Sequence, residues 1–324
     1  MKKNTTTLRA FKPVSLPLSL LLVAVLLSAS TCERSLDIDL PIPDPKLVVV
    51  SNFTNNQELR VRVSKSRSLL DESPEDYIGD AVVELYQGDQ LLEMLTLIVP
   101  QEPRVSPYYA TKLTSLQTGV VYLIKVSAPG FDTVMAQSAI PQSISIQEFS
   151  LSDLQVTQGA NPNSTRYSYR IALGFQDPPK IENYYHLNFY QQIQDYLDIG
   201  GDTLILRDYL QPVVFNSFND NNYLLAYFGG GVLIEDGPYD GRTLNYSFPM
   251  AIDIYPANQK LGKIFVELRS VSKEYYYFHN SLSRQQNNNG NGNNEPIFIY
   301  NNIENGQGIF AGYSQSLDSL LIIH

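Results

Sequence analysis

Tryptophan is absent from this chain, cysteine occurs once and histidine three times in 324 residues. A single thiol, Cys32, excludes an internal disulfide and a cysteine metal cage, so the fold has to rest on packing. With only His186, His279 and His324, and no serine or cysteine in a nucleophile motif, hydrolytic triads lack material. HExxH, a Walker loop and a dinucleotide glycine fingerprint are all missing, which removes the usual geometry of zinc proteolysis, nucleotide hydrolysis and hydride transfer. Gly229, Gly230 and Gly231 do cluster, but β-branched Val232 and Ile234 follow them, whereas a phosphate cradle opens onto a helix. The expectation is that the protein is not an enzyme.

Basic residues are also scarce. The formal charge is −10, and residues 1–31 hold Lys2, Lys3, Arg9 and Lys12 but no acid. Without those four, 19 basic residues face 33 acidic ones, leaving −14. Such a surface repels phosphate backbones and argues against a nucleic-acid partner. Apolar residues make up 43% of the chain, enough for a core of domain size.

Residues 1–31 read as a signal peptide: a basic start, an apolar run from Leu18 to Leu27, then the small residues Ser28, Ala29, Ser30 and Thr31. Crossing a bilayer as a helix takes roughly 20 apolar residues, which this run does not reach. Ala29-Ser30-Thr31-Cys32 resembles a lipobox, though without the usual Leu three places before the cysteine or the small Gly or Ala just before it. Lipidation at Cys32 is the expectation. Acyl chains contribute about 0.8 kcal/mol per buried CH₂, so the partner at this end is a membrane. Residues 32–45, with Asp37, Asp39, Pro41, Pro43, Asp44 and Pro45, read as an acylated tether. Acidic residues such as Glu33 soon after the cysteine loosely match an address to the surface of an outer membrane.

The body has an all-β pattern. From 46 to 141, β-rich runs fall at Lys46 to Phe53, Leu59 to Ser64, Ala81 to Tyr86, Leu91 to Val99, Tyr108 to Leu113, Val120 to Ala128 and Thr133 to Ile140. Seven short strands in under 100 residues predict an Ig-like β-sandwich. Pro141 marks the predicted boundary to a second, larger, tyrosine-rich β domain over 142–324. Its strand-like runs are Arg166 to Phe175, Tyr184 to Gln191, Thr203 to Leu206, Val232 to Ile234, Leu244 to Ile254 and Lys263 to Val271. Ser272 suits an N-cap, and Val271, Tyr275, Phe278 and Leu282 are spaced for one face of a short helix. The tract 285–294, rich in Asn, Gln and Gly, is expected to be a mobile loop. Strand character returns at Ile297 to Tyr300, Ile309 to Tyr313 and Leu320 to His324.

Two sets of residues invite a chemical reading. Asp236 and Asp240 flank a Gly-Pro-Tyr turn that calcium can bridge, with a solvated turn as the competing reading. Asp195, Asp198 and Asp202 form a looser set of the same kind. The chain also carries 22 tyrosines and 14 phenylalanines, with runs at Tyr184-Tyr185 and Tyr275-Tyr276-Tyr277. Tyrosine offers an apolar face and a hydroxyl at low entropy cost, so these five are candidates for a binding surface, with core packing as the alternative.

Several stretches resemble the DUF4249 family of Bacteroidetes lipoproteins. They are Lys46 to Val50, Gly79 to Leu85, Gly119 to Tyr122, Gln176-Asp177-Pro178, Glu182 to Tyr185, Val266 to Ser270 with Tyr275 to Phe278, and Asn302-Ile303 with Gly306 to Phe310. The likeness spans nearly all of the chain beyond Cys32. It implies an accessory lipoprotein beside a TonB-dependent outer-membrane receptor. It brings no set of catalytic residues and no cofactor. The first unit is also similar to transthyretin-like or carboxypeptidase-regulatory-like sandwiches. The resulting expectation is a surface lipoprotein that binds a ligand or serves a transporter, with a structural or adhesive envelope protein as the alternative.

Overall fold

The computed structural model describes residues 44–68, 73, 75–213, 224–227, 231–288 and 297–322. The signal segment, Cys32 and the tether up to Pro43 lie outside the described residues. The first strands are β1 (Leu47–Thr54), β2 (Arg60–Lys65), β3 (Val82–Gln87), β4 (Gln90–Met94), β5 (Thr96–Ile98), β6 (Tyr108–Ala110), β7 (Val121–Ser127) and β8 (Val134–Ala139). Then come β9 (Ile146–Gln158), β10 (Thr165–Gln176), β11 (Tyr184–Ile199), β12 (Asp202–Pro212), β13 (Leu224–Tyr227), β14 (Gly231–Glu235), β15 (Thr243–Ile254) and β16 (Gln259–Val271). Helix α1 (Lys273–Asn288) and strand β17 (Gln307–Leu321) follow.

The fold is all-β with several sheets. A ten-stranded sheet runs β13-β14-β11-β16-β17-β1-β2-β6-β5, with β12 beside the outer half of β11. Two smaller sheets, β15-β10-β9 and β4-β3-β7-β8, complete it. Alternation decides what packs where, because successive side chains leave a strand on opposite faces. In β10, Tyr167, Tyr169, Ile171, Leu173 and Phe175 all point inward, against Leu187 and Phe189 of β11 and Val266 and Leu268 of β16. Each such fully buried side chain contributes about 1.5–3 kcal/mol. The second core joins Val49 and Phe53 of β1 to Val83, Leu85, Ile124 and Val126 of the four-stranded sheet.

Register places both small sheets on one face of the large sheet. Ser51 of β1 lies opposite Phe310 of β17, and Ser314 of β17 lies opposite Ser270 of β16, all on the side of the two cores. The opposite face carries Val50, Ile309 and Ala311, and there Tyr275 and Tyr276 of the helix pack. Ser272 caps α1, its Oγ accepting the Tyr275 N–H at 3.3 Å.

Pro141 falls where one core gives way to the other, but the chain from Asp44 onward is one compact unit. The reason lies at its far end: β17 pairs in parallel with β1, and Phe310 and Ile303 complete the first core. That parallel pair needs Gly308, whose φ is +116° and where a Cβ would sit 2.0 Å from the Val49 carbonyl oxygen.

Several expectations are corrected. Residues 285–288 of the expected mobile loop belong to α1, as glutamine's fair helix propensity allows, and 289–294 lie outside the described residues. Helix α1 buries Tyr275, Tyr276, His279 and Ser283, not the expected stripe through Phe278 and Leu282. Residues 297–300 form no strand, and Phe298 is exposed. Strand β9, thirteen residues and mostly polar, alternates only in two short pieces, at Phe149 and Leu151 and at Leu154 and Val156, that a bulge puts out of phase.

Candidate functional site

Seven residues between β10 and the start of β11, 177–183, organise the region where the sequence-selected residues meet. Strand β10 ends at Gln176, and the prolines of Asp177-Pro178-Pro179 forbid its continuation. The chain turns through Lys180, at φ +66°, and re-enters the large sheet at Tyr184. Alternation then sends Tyr184 to the helix face and Tyr185 to the core face.

Tyr185 donates its hydroxyl to Asp177, which is fully buried and also accepts the Gly241 N–H at 2.8 Å. Asp236 accepts the Asn183 N–H at 2.9 Å, and Asp240 accepts the Lys180 N–H at 2.6 Å. One carboxylate oxygen from each of Asp177, Asp236 and Asp240 lies within 4.8 Å of the other two. Burial raises the pKa of Asp236; the Asn183 N–H works against this, and the charge of Asp177 adds to it. Three clustered oxygens suit a hard cation such as calcium and are about half of the six to eight it takes. Asp236 and Asp240 were legible as a pair, and Asp177, which completes the set from another strand end, was not. Asp195, Asp198 and Asp202 do not assemble: Asp195 accepts from Arg207 at 2.7 Å, and Asp198 accepts the Gly201 N–H.

Four of the five tyrosines do come together, but inside the protein. Tyr184 stacks on Tyr276 with ring centroids 4.7 Å apart and meets Tyr277 at 5.8 Å. Tyr275 packs on His279 at 4.2 Å. Tyr184, Tyr185, Tyr275 and Tyr276 are all buried, and only Tyr277 is partly open. Tyr184, Tyr275 and Tyr276 fasten the helix to the sheet, while Tyr185 packs in the core on the opposite face. Two neighbouring aromatic rings contribute about 0.5–1.5 kcal/mol beyond their buried area.

Beneath α1 lies a polar network that sequence reasoning missed, since its members are spread over four elements. Arg269 pairs with Glu267 at 2.9 Å and donates to the Tyr275 hydroxyl at 3.2 Å. Asn188 and Tyr190 donate to the same Glu267 carboxylate, each at 3.2 Å. His186 Nδ1 lies 2.9 Å from the Tyr275 hydroxyl, and His279 Nε2 lies 3.2 Å from Asn52 Nδ2. Burial, then the Arg269 charge, lowers the pKa of both histidines, in the case of His279 to about 4. Both are neutral at pH 7.

A cleft of about 630 Å³ is lined by β7 and β8 of the four-stranded sheet, the 140–144 link, the turn between β10 and β11, and the junction of β16 with α1. Val121, Ile140, Ile144 and Ile181 give it apolar walls, and Ser270 with the first turn of α1 closes one end. Lys273 at its rim is paired with Glu182 at 3.1 Å. Its volume falls in the range of about 300–1,000 Å³ usual for ligand sites.

A family model described as "Domain of unknown function (DUF4249)" matches residues 33–318. The chain belongs to the DUF4249 family. No curated protein matches it. In this DUF4249 chain the stretches Gln176 to Pro178 and Glu182 to Tyr185 supply Asp177 to the acidic cluster, part of the cleft lining, and Tyr184 to the tyrosine cluster.

Proposed function

We propose that this chain is an envelope lipoprotein, held by lipid on Cys32 at the surface of an outer membrane of the Bacteroidetes type. There it captures a ligand as the accessory subunit of a TonB-dependent transporter. Anchoring is supported by the placement of the only cysteine directly after an apolar leader, one residue before the family match begins. No described helix is long and apolar enough to cross a membrane. The observation that carries ligand capture is the open, largely apolar cleft beside β8 and the start of α1. The reading is of a binding protein and not of an enzyme, and it needs no cofactor.

A structural or adhesive envelope role is favoured by one observation, the burial of Tyr184, Tyr185, Tyr275 and Tyr276, which removes the aromatic surface as a platform. Affinity purification from detergent-solubilised outer membranes separates the two. The transporter reading expects a TonB-dependent barrel to be recovered in stoichiometric amount; a preparation without any barrel supports the structural role instead.

A further inference from the structure

Strand β16 pairs with β11 only as far as Asp195, opposite Gln259, and from Leu197 to Ile199 the described residues offer β11 no strand partner but β12. The two strands therefore run on as a ribbon closed by the turn at Gly200-Gly201. A two-stranded ribbon in water is marginal by itself. This one is also apolar outside: Leu197, Ile199, Leu204, Ile205, Leu206 and Leu210 are each 50–58% exposed.

The outer edge of β12 is open as well. Among the described residues this strand of eleven residues pairs with β11 alone. Proteins guard such an edge with lysine, proline or a bulge. Strand β12 has no lysine, its proline is its last residue, and the bulge at Leu206 still leaves Arg207 to Gln211 as an uninterrupted edge. A cavity of about 600 Å³ adjoins the ribbon, lined by Tyr196, Asp198, Thr203 and Ile205 of the ribbon and by Ile254 and Leu261 of the body. An added strand is recognised in this way, its backbone bonded to the edge and its alternate side chains seated in pockets.

Charge selects the occupant. Residues 190–212 hold Asp195, Asp198, Asp202 and Asp208 against Arg207 alone, which pairs with Asp195. Lys260, opposite Gln194 on β16, offsets one of the remaining three acids. A second copy of the chain would bring the same negative charge to the edge, and the chain's own segments 214–223 and 289–296 contain no lysine or arginine. A cationic strand is complementary.

We propose that the free edge of β12 receives an extended segment of a partner protein, bearing lysine or arginine, as an added strand. This goes beyond the accessory role above and requires neither lipid on Cys32 nor a ligand in the cleft.

Fluorescence anisotropy of the full chain with three labelled, end-blocked peptides tests it at about 0.15 M salt, where long-range charge is screened. One peptide alternates valine and lysine, the second alternates valine and glutamate, and the third is the valine–lysine peptide N-methylated throughout, which keeps its charge but has no backbone donor. The first is expected to bind saturably and the other two at least about tenfold more weakly. Leu204→Lys combined with Leu206→Lys, at two exposed positions, is expected to weaken the first peptide at least about tenfold and leave the melting temperature unchanged. No saturable binding, or equal affinity for the glutamate peptide, overturns the cationic partner. Equal affinity for the N-methylated peptide overturns strand addition, and unchanged affinity in the double variant overturns the ribbon as its place. Analytical ultracentrifugation of the chain alone is expected to show a monomer; a dimer that the double variant dissociates makes a second copy the occupant and overturns the proposal.

Discussion

Acid should loosen the helix from the sheet, and His279 sets the pH at which it does so. Its ring is buried against Tyr275 and Phe278, bonded to Asn52 and close to the charge of Arg269. Burial first and Arg269 second lower its pKa from 6.5 to about 4. A folded pKa below the unfolded one gives stability that is fully present above pH 6.5 and is lost as pH falls towards 4. The whole shift corresponds to about 3 kcal/mol, of which about 2 kcal/mol disappears between pH 7 and pH 5. Asp236 has the opposite sign. Its raised pKa makes its burial less unfavourable at low pH, and that contribution is lost as pH rises through the folded value. Urea unfolding at pH 7 and pH 5, for the wild type and for His279→Gln, isolates the histidine because all carboxylates are common to both. The amide of the variant preserves a partner for Asn52 but does not titrate. The wild type should lose about 2 kcal/mol more than the variant over this interval. Equal losses in the two proteins would falsify the assignment of the acid response to His279.

Two further outcomes follow from the fold and the acidic turn. Gly308→Ala places a methyl group on the Val49 carbonyl at a φ that only glycine adopts readily, so it should cost about 3 kcal/mol or more in chemical denaturation; a loss below about 1 kcal/mol would show that β1 and β17 can separate freely. Asp177→Ala strands the Tyr185 hydroxyl and the Gly241 N–H and should cost about 2–5 kcal/mol, with Asp177→Asn costing less, while millimolar calcium leaves the wild-type melting temperature unchanged because backbone N–H groups already serve the three acids. A calcium-dependent rise that Asp240→Asn abolishes would identify a cation site instead.

The all-β class was legible because alternation in segments such as Val82 to Tyr86 and Tyr122 to Val126 is a local signal. What joins distant segments was not. Nothing near Gln307 announces that it pairs with Val48, and the ten-stranded sheet depends on that parallel contact. Strand β9 escaped because its core-facing Phe149, Leu151 and Leu154 are thrown out of phase by a bulge at Asp153, which breaks the period of two. The runs Tyr184-Tyr185 and Tyr275 to Tyr277 stand out in the sequence, yet composition cannot tell a ring that faces a sheet from one that faces water. Asp236 and Asp240 share a turn and could be paired by eye. Asp177 joins them only through the return of the chain into β11.

The chemical state of Cys32 bears most directly on the account, because an anchored binding protein requires it to be modified. Intact-mass and amino-terminal peptide mass spectrometry on protein purified from native membranes should give a chain that begins at Cys32 and carries a thioether-linked diacylglycerol. A free sulfhydryl at that position, or a chain that still begins at Met1, would contradict it.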